Sequence, residues 1–339
     1  MLASGVVGIR IGVDGSSGRF DSRARFGRAG AIIVGVSSHG EAPRSRPGLC
    51  SQVELPDGRS LDVWRAGPAD GEPLVFHHGT PGAGLPFDHH VRLMAERGLR
   101  YVSWTRAGYG SSSRHRGRTV ADDAADGRAV LDHLGIDRAW AIGWSGGGPH
   151  ALGLAAQHPD RVRGVALIGG VAPYGVEGLD WLAGMGAENV EEFAATLQGE
   201  AALLPFVVRA WETFHDMRPE DVAAGLGDLI DDVDRGSITG GLAEYLAASA
   251  HEALREGYLG WLDDDLVFAW PWGFDLRSIR PPVHIWQGEH DRMVPYGHGA
   301  WLAEHVPTAC PHLFAEHGHL TLVVDTFGQI LDELVGAGG

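Results

Sequence analysis

Gly143-Trp144-Ser145-Gly146-Gly147 stands between a short apolar run and an Ala/Leu-rich segment, and its reading decides the fold. A serine on a sharp strand-to-helix turn pushes its hydroxyl out of the fold, and the crossing backbones leave room only for small residues two positions to either side. Gly143 and Gly147 meet that need. Alone, the pentapeptide could be a glycine-rich connector that happens to hold a serine, so its surroundings must decide. Arg138 to Trp144 is short and apolar, bounded by Gly135 and the glycine run, as a buried strand should be. Gly148 to Gln157 carries Pro149 in its first turn with strong helix formers behind it, and stops at His158-Pro159.

The same alternation extends outward from this point. Leu74–His78, Leu99–Trp104 and Val162–Ile168 read as further buried strands, with helices near Gly84 to Arg97 and from Val120 to Leu134, the second ended by Gly135. Strand and helix in turn mean a parallel sheet wrapped by helices. Upstream, Pro56-Asp57-Gly58 separates two strand-like runs and predicts a hairpin. After Tyr174 the alternation stops and about a hundred residues read as amphipathic helices. Their large apolar side chains, among them Trp181, Phe206, Trp211, Phe214, Tyr245, Trp261, Phe268, Trp270 and Trp272, read mostly as packing core and, as a set, as a lid over a hydrophobic cleft. The acidic runs Asp231-Asp232 and Asp263 to Asp265 are expected to be solvated faces or helix caps. Alternation resumes at Pro282–Gly288, continues through a helix at Ala300–His305 and a strand at His312–Ala315, and closes with one helix from Leu320 to Leu334. The expected organisation is a poorly ordered extension over residues 1–46, a core of 47–174 and 275–339, and a helical cap over 175–274.

Composition narrows the chemistry. None of the 27 basic residues is Lys, which removes Schiff-base, pyridoxal and Ser-Lys mechanisms and the P-loop lysine. The net charge is −17, and residues 1–46 hold seven Arg against three acids, so the remainder is more acidic still. Such a surface repels phosphates and anionic lipid, so neither nucleic acid nor membrane is expected as a partner. Cys50 and Cys310 form no C-x-x-C pair, and no apolar run is long enough for a membrane span. We expect a cytoplasmic monomer or homodimer acting on a small-molecule substrate.

A serine hydroxyl is a poor nucleophile at neutral pH and needs a base, an acid that orients the base, and donors for the oxyanion. In Glu316-His317-Gly318-His319-Leu320, His319 is the candidate base, just before the final helix, with His317 the alternative. In Gly288-Glu289-His290-Asp291, Asp291 is the candidate acid, with Glu289 second; Asp291 could instead cap the next helix. The oxyanion site would use the amide of Gly146 and that of Thr80 in His78-Gly79-Thr80-Pro81-Gly82, with the Thr80 hydroxyl a further candidate donor. His78, Gly79 and Trp144 are expected to line the substrate site. His77-His78, His89-His90 and His317-Gly318-His319 lack the spacing of a metal motif, so no metal and no cofactor are expected.

With these motifs in order, and with Thr105 to Ser111 after its strand, the chain resembles the α/β-hydrolase fold family over roughly residues 49–336. The resemblance implies a mostly parallel eight-stranded sheet with a helical cap inserted after the sixth strand. His-Gly-x-Pro is similar to epoxide hydrolases and haloalkane dehalogenases, whose nucleophile is an aspartate where this chain has Ser145. Proline iminopeptidases have a similar His-Gly-Gly-Pro-Gly loop, but their elbow reads Gly-Gly-Ser-Trp-Gly. The expected function is a metal-independent serine hydrolase of an ester, thioester or lactone. An aminopeptidase holding a free amine on acids such as Glu188, Glu191, Glu192 or Glu212, a carbon-carbon bond hydrolase, and a non-catalytic binding protein are the alternatives.

Overall fold

The computed structural model describes residues 48–336. The expectation for residues 1–46 lies outside them. The chain opens with β1 (Leu49–Glu54) and β2 (Ser60–Ala66), an antiparallel hairpin closed through Pro56-Asp57-Gly58 by Leu55 N donating to Arg59 O at 2.7 Å. Then come β3 (Glu72–His77), α1 (Asp88–Ala95), β4 (Leu99–Trp104), α2 (Val120–His133), β5 (Ala139–Trp144), α3 (Gly147–Gln157) and β6 (Val162–Ile168). The helical stretch follows as α4 (Ala187–Thr196), α5 (Glu200–Phe214), α6 (Val222–Gly225), α7 (Asp232–Ser237), α8 (Gly240–Leu254) and α9 (Leu259–Ala269). The chain returns to the sheet with β7 (Val283–Gly288), α10 (Tyr296–His305), β8 (Ala309–Phe314), α11 (His319–Asp325) and α12 (Phe327–Gly336).

All strands join one eight-stranded sheet in the order β1-β2-β4-β3-β5-β6-β7-β8, antiparallel at β1-β2 and β2-β4 and parallel from β4 to β8. Both faces are covered, so the strands read as near-continuous apolar runs rather than alternating ones. Alternate residues nevertheless feed different layers. Leu74, Phe76, Trp140 and Ile142 pack with Met94 of α1 and Ile330 and Leu331 of α12, whereas Val75, Ala139 and Ala141 pack with Val130 of α2 and Ala151 and Leu152 of α3. The strand order reverses between β3 and β5, and a crevice outside the carboxyl ends of the strands at such a point is where open α/β sheets bind ligands. The loops after β3, β5 and β7 carry Thr80, Ser145 and Asp291, and His319 opens α11 directly after the loop that follows β8.

Two local expectations change. The closing helix is two helices: Thr326 ends α11, its hydroxyl bonding back to the Leu322 carbonyl at 2.6 Å, so α12 starts in a new direction. The run Asp263 to Asp265 is not solvated, for all three side chains are at most 3% exposed within α9. Asp231 does cap a helix, accepting from Val233 N and Asp234 N of α7. Trp270 faces solvent, whereas Trp181, Tyr245, Trp261, Phe268 and Trp272 are buried. Among the described residues no helix is long and apolar enough to cross a membrane.

Candidate active site

Only two residues separate β5 from α3, and Ser145 is the first of them. Its φ of 56° makes it the lone non-glycine residue with positive φ among the described residues. Such a conformation costs about 1–3 kcal/mol and persists only where the surroundings enforce it. Here Ser145 N donates to Ile168 O at 2.9 Å, and Gly148 N to Ser145 O at 2.9 Å. A Cβ on Gly143 would meet the Gly147 carbonyl at 2.5 Å, and one on Gly147 would collide with the His77 carbonyl. Both glycines are therefore steric requirements of the turn, as the pentapeptide implied.

The loop carrying Thr80 is fixed by a buried arginine. Arg106 donates to the carbonyls of His78 at 2.5 Å and Gly79 at 3.0 Å and to Thr80 Oγ1 at 2.9 Å. Thr80 Oγ1 in turn donates to Asp264 Oδ2 at 2.7 Å. The hydroxyl proton is thus engaged by Asp264 and not by anything at Ser145, so of the two Thr80 groups named as candidate donors the amide is the one left free of this bond. His78 stands beside the nucleophile as expected, held by its own hydrogen bonds. It lines the smaller cavity described below, and its Nε2 accepts from Arg106 N at 3.1 Å while its Nδ1 donates to Gly79 O at 2.8 Å, so the ring serves as a fixed wall. Gly79 lies directly against the nucleophile, since a Cβ there would sit 3.4 Å from Ser145 Cβ.

His319 and Asp291 meet as anticipated, with His319 Nδ1 2.7 Å from Asp291 Oδ2 and both side chains buried. The carboxylate accepts the Nδ1 proton, which leaves Nε2 bare. Asp291 also receives Met293 N at 2.9 Å and Val294 N at 2.7 Å on Oδ1, and Gln287 Nε2 at 3.2 Å on Oδ2. It caps the following turn and orients the histidine at once, so the two readings of this residue are not rivals. Glu289 is exposed, and the half-buried ring of His317 packs against Phe314 rather than toward this group. Trp144 places its ring 5.8 Å from that of His319.

One supporting residue escaped the sequence reading. Asp234, in α7 and fully buried, accepts from the backbone N–H of His319 at 2.7 Å, Leu320 at 2.9 Å and Thr321 at 3.0 Å. It is a side-chain cap supplied by a distant segment to the first turn of α11. Burial acts to lower the His319 pKa, but the charge and hydrogen bond of Asp291 and the charge of Asp234 outweigh it and hold the imidazole above its ordinary 6.5. A general base works when neutral, so kcat/KM should rise with pH through a midpoint above 6.5. Asp234→Asn removes one of the negative charges and should move that limb down by roughly one pH unit. A pH–rate profile that does not move would show that Asp234 acts on the helix alone.

Ser145 and Thr80 line two cavities at once. The smaller, about 110 Å³, is walled by His78, Gly79, Trp144, His319, Tyr245 and Leu246. The larger, about 350 Å³, is walled by Gly146, Trp181, Phe193, Phe206, Trp261 and Phe268, and also carries Glu188, Glu191, Glu192 and Asp265. Glu212 is exposed and lines neither. Most of these walls come from the helices between β6 and β7. Among the described residues, the acid and histidine groups that converge closely enough to hold a metal are His284, His312 and Glu333, with ligating atoms within 4.8 Å of one another. His284 lies at the opposite end of β7 from the Asp291 loop, so this set is separate from the Ser145 site. His89 and His90 instead bond the carbonyls of Val324 and Val323.

A doubly wound sheet with a strained serine elbow at the carboxyl end of its central strand defines a class of enzymes, the α/β hydrolases. The family model described as the alpha/beta hydrolase fold matches residues 72–326, and this chain belongs to that family. Among curated relatives, a non-heme chloroperoxidase from Streptomyces lividans is 30% identical over 250 residues, covering 73% of this chain and 84% of that protein. A bifunctional esterase/perhydrolase from Acinetobacter calcoaceticus is 28% identical over 249 residues, covering 72% of this chain and 83% of that protein. Among solved structures, a hydrolase from Pseudomonas aeruginosa PA01 superposes with a TM-score of 0.61 at 22% identity, covering 85% of this chain and 98% of that one, and shares the fold.

Proposed function

We propose that the protein is a serine hydrolase that cleaves an ester, thioester or lactone of a mostly apolar small molecule. One observation carries this reading: the strained Ser145 stands where both cavities meet and shares the smaller with His319, whose Nδ1 is held on Asp291. In this mechanism Ser145 Oγ attacks the carbonyl carbon while His319 Nε2 takes its proton. The amides of Gly146 and Thr80 receive the oxyanion, and Asp291 stabilises the imidazolium without taking the proton itself. His319 then returns the proton to the departing alkoxide or thiolate, leaving an acyl ester on Ser145. Water, deprotonated by His319, attacks that ester, releases the carboxylic acid and restores the hydroxyl. Nucleophile, base, orienting acid and oxyanion donors all come from the chain, so no step calls on a metal.

The helical stretch 175–274 acts as a cap on a core of 47–174 and 275–339, because its side chains supply most of the larger cavity's wall. The ester reading draws further support from the relative named as an esterase/perhydrolase. The test is labelling with a fluorophosphonate, followed by peptide mapping and a chain-length series of nitrophenyl esters in the presence of a chelator. Covalent label on Ser145, with turnover that survives chelation, is the expected result. Tight ligand binding with no label and no product would replace the reading by a binding protein, and label on another residue would end the Ser145 assignment.

A further inference from the structure

We propose that His284, His312 and Glu333 form a binding site for a borderline divalent metal ion, Zn²⁺ foremost, which ties strands β7 and β8 to the closing helix α12. The site lies at the opposite end of β7 from the Asp291 loop and stands whichever reaction Ser145 performs. In the register of β7 and β8, His284 pairs with Cys310 and Trp286 with His312, so the four side chains share one face of the sheet. That face is the one α12 covers, since Trp286 packs with Ile330, Leu331 and Leu334. Glu333 stands on the same helix and brings its carboxylate to the two imidazoles, with ligating atoms of the three residues all within 4.8 Å of one another.

Three observations favour a cation here. His284 Nδ1 and His312 Nε2 are 3.2 Å apart. Two nitrogens bound at about 2.0–2.1 Å to a tetrahedral Zn²⁺ lie about 3.3 Å from each other, so one ion fits between the rings with almost no movement of either. Secondly, hydrogen bonding does not account for burying this pair. The rings share one proton in an N–H···N bond, while His284 Nε2 is buried with no hydrogen-bond partner among the described residues, and an unpaired buried polar atom costs free energy. Thirdly, the charge fits. Asp332 is paired with Arg97 at 2.6 Å, whereas Glu333 forms no ion pair among the described residues and is the anion that acts on both imidazoles. His312 is held in place by stacking on Trp286, ring centroids 4.1 Å apart and planes 9° from parallel. Glu333 is exposed, so its side chain is free to swing the remaining distance onto the ion. Two imidazoles and one carboxylate suit Zn²⁺, Cu²⁺ or Ni²⁺ and not the oxygen-seeking Mg²⁺ and Ca²⁺. Cys310 is exposed beside His284 in the ladder but is not among the converging groups, and it carries no ligand role here.

The experiment is calorimetric titration of untagged, chelator-stripped full-length protein with Zn²⁺, followed by Co²⁺ as a spectroscopic stand-in. One equivalent of Zn²⁺ should bind, and Co²⁺ should give the visible absorption of a four-coordinate nitrogen and oxygen site. Saturating Zn²⁺ should raise the melting temperature by about 3–8 °C, while Mg²⁺ and Ca²⁺ at the same concentration shift nothing. His312→Ala should weaken Zn²⁺ binding by about 100-fold or more and abolish the thermal shift, and Glu333→Gln should weaken binding by about 10-fold or more. His284 is buried, so the half-buried His312 and the exposed Glu333 are the positions at which a variant keeps its fold. Cys310→Ser should bind as the wild type does. Failure of the wild type to bind one equivalent of Zn²⁺ overturns the site, as does binding that persists unchanged in both His312→Ala and Glu333→Gln. Loss of binding in Cys310→Ser would equally overturn it, by showing a thiol where the proposal has two imidazoles and a carboxylate.

Discussion

Replacing Ser145 by alanine is expected to lower kcat/KM for an activated ester by roughly 10⁴–10⁶-fold, because nucleophile and base act as a unit and lose their effect together. The amides of Gly146 and Thr80 proposed for the oxyanion and the cavity walls survive the substitution, so a residual rate of about 10³-fold over water should persist. Stability should separate from activity at this position. Alanine keeps the Cβ and therefore the strain of the positive φ at residue 145, whereas Ser145→Gly removes it. Ser145→Gly should be as inactive as Ser145→Ala yet more stable by about 1 kcal/mol, read as a higher urea midpoint at unchanged slope. A loss of activity below about 100-fold in Ser145→Ala would mean that another residue carries the chemistry.

What could be read before the fold was seen divides along a physical line. The strands ending at Trp104, Trp144 and Ile168, the hairpin through Asp57 and the candidate residues Ser145, Asp291 and His319 all announce themselves within a few neighbours, through apolar runs, turn residues and loop position. The Thr119 capping box that opens α2 is equally local, with Asp122 three residues on. The residues that hold the site in place have partners far away in sequence. Arg106 and Asp264 are 158 positions apart, Arg118 and Asp264 146, Asp234 and His319 85. An acidic triplet with no visible counter-charge reads as a solvated face, and only the fold brings the arginines to it. The same limit hid Asp265, which sits on a different helix from Glu192 and faces the same cavity. Thr326 illustrates the converse, for the apolar period of the last segment runs through it unbroken, and the end of α11 depends on a hydroxyl that periodicity does not weigh.

The second large effect is expected at Asp264, where truncation to alanine should cost about 3–5 kcal/mol of stability. Its carboxylate receives Arg106 and Arg118, each at 2.6 Å, Tyr109 OH at 3.0 Å and Thr80 Oγ1 at 2.7 Å, and none of the arginine side chains is more than 1% exposed. Arg118 also pairs with Asp123 at 2.7 Å, so two buried cations balance two buried anions. Removing Asp264 leaves one positive charge in the interior without an anion, and a lone buried charge is far costlier than the pair is beneficial. For a domain of this size the melting temperature should fall by roughly 5–15 °C. A double-mutant cycle with Arg106→Met should recover a coupling of about 1–3 kcal/mol, since the second change removes the stranded charge. The pH dependence has a definite sign. Burial alone would raise the Asp264 pKa, but Arg106 and Arg118 outweigh it and hold the group well below 3.8. A depressed carboxylate stabilises fully above its unfolded pKa and loses that contribution only as pH falls through the lower folded value, so the deficit of Asp264→Ala should be constant at neutral pH and shrink only in strong acid. Activity should fall further than stability explains, because the Thr80 hydroxyl loses its acceptor and the amide beside it loses its fixed position. A stable Asp264→Ala protein, within about 1 kcal/mol of wild type, would show that this network is solvated in solution and does not anchor α9 to the loop that carries Thr80.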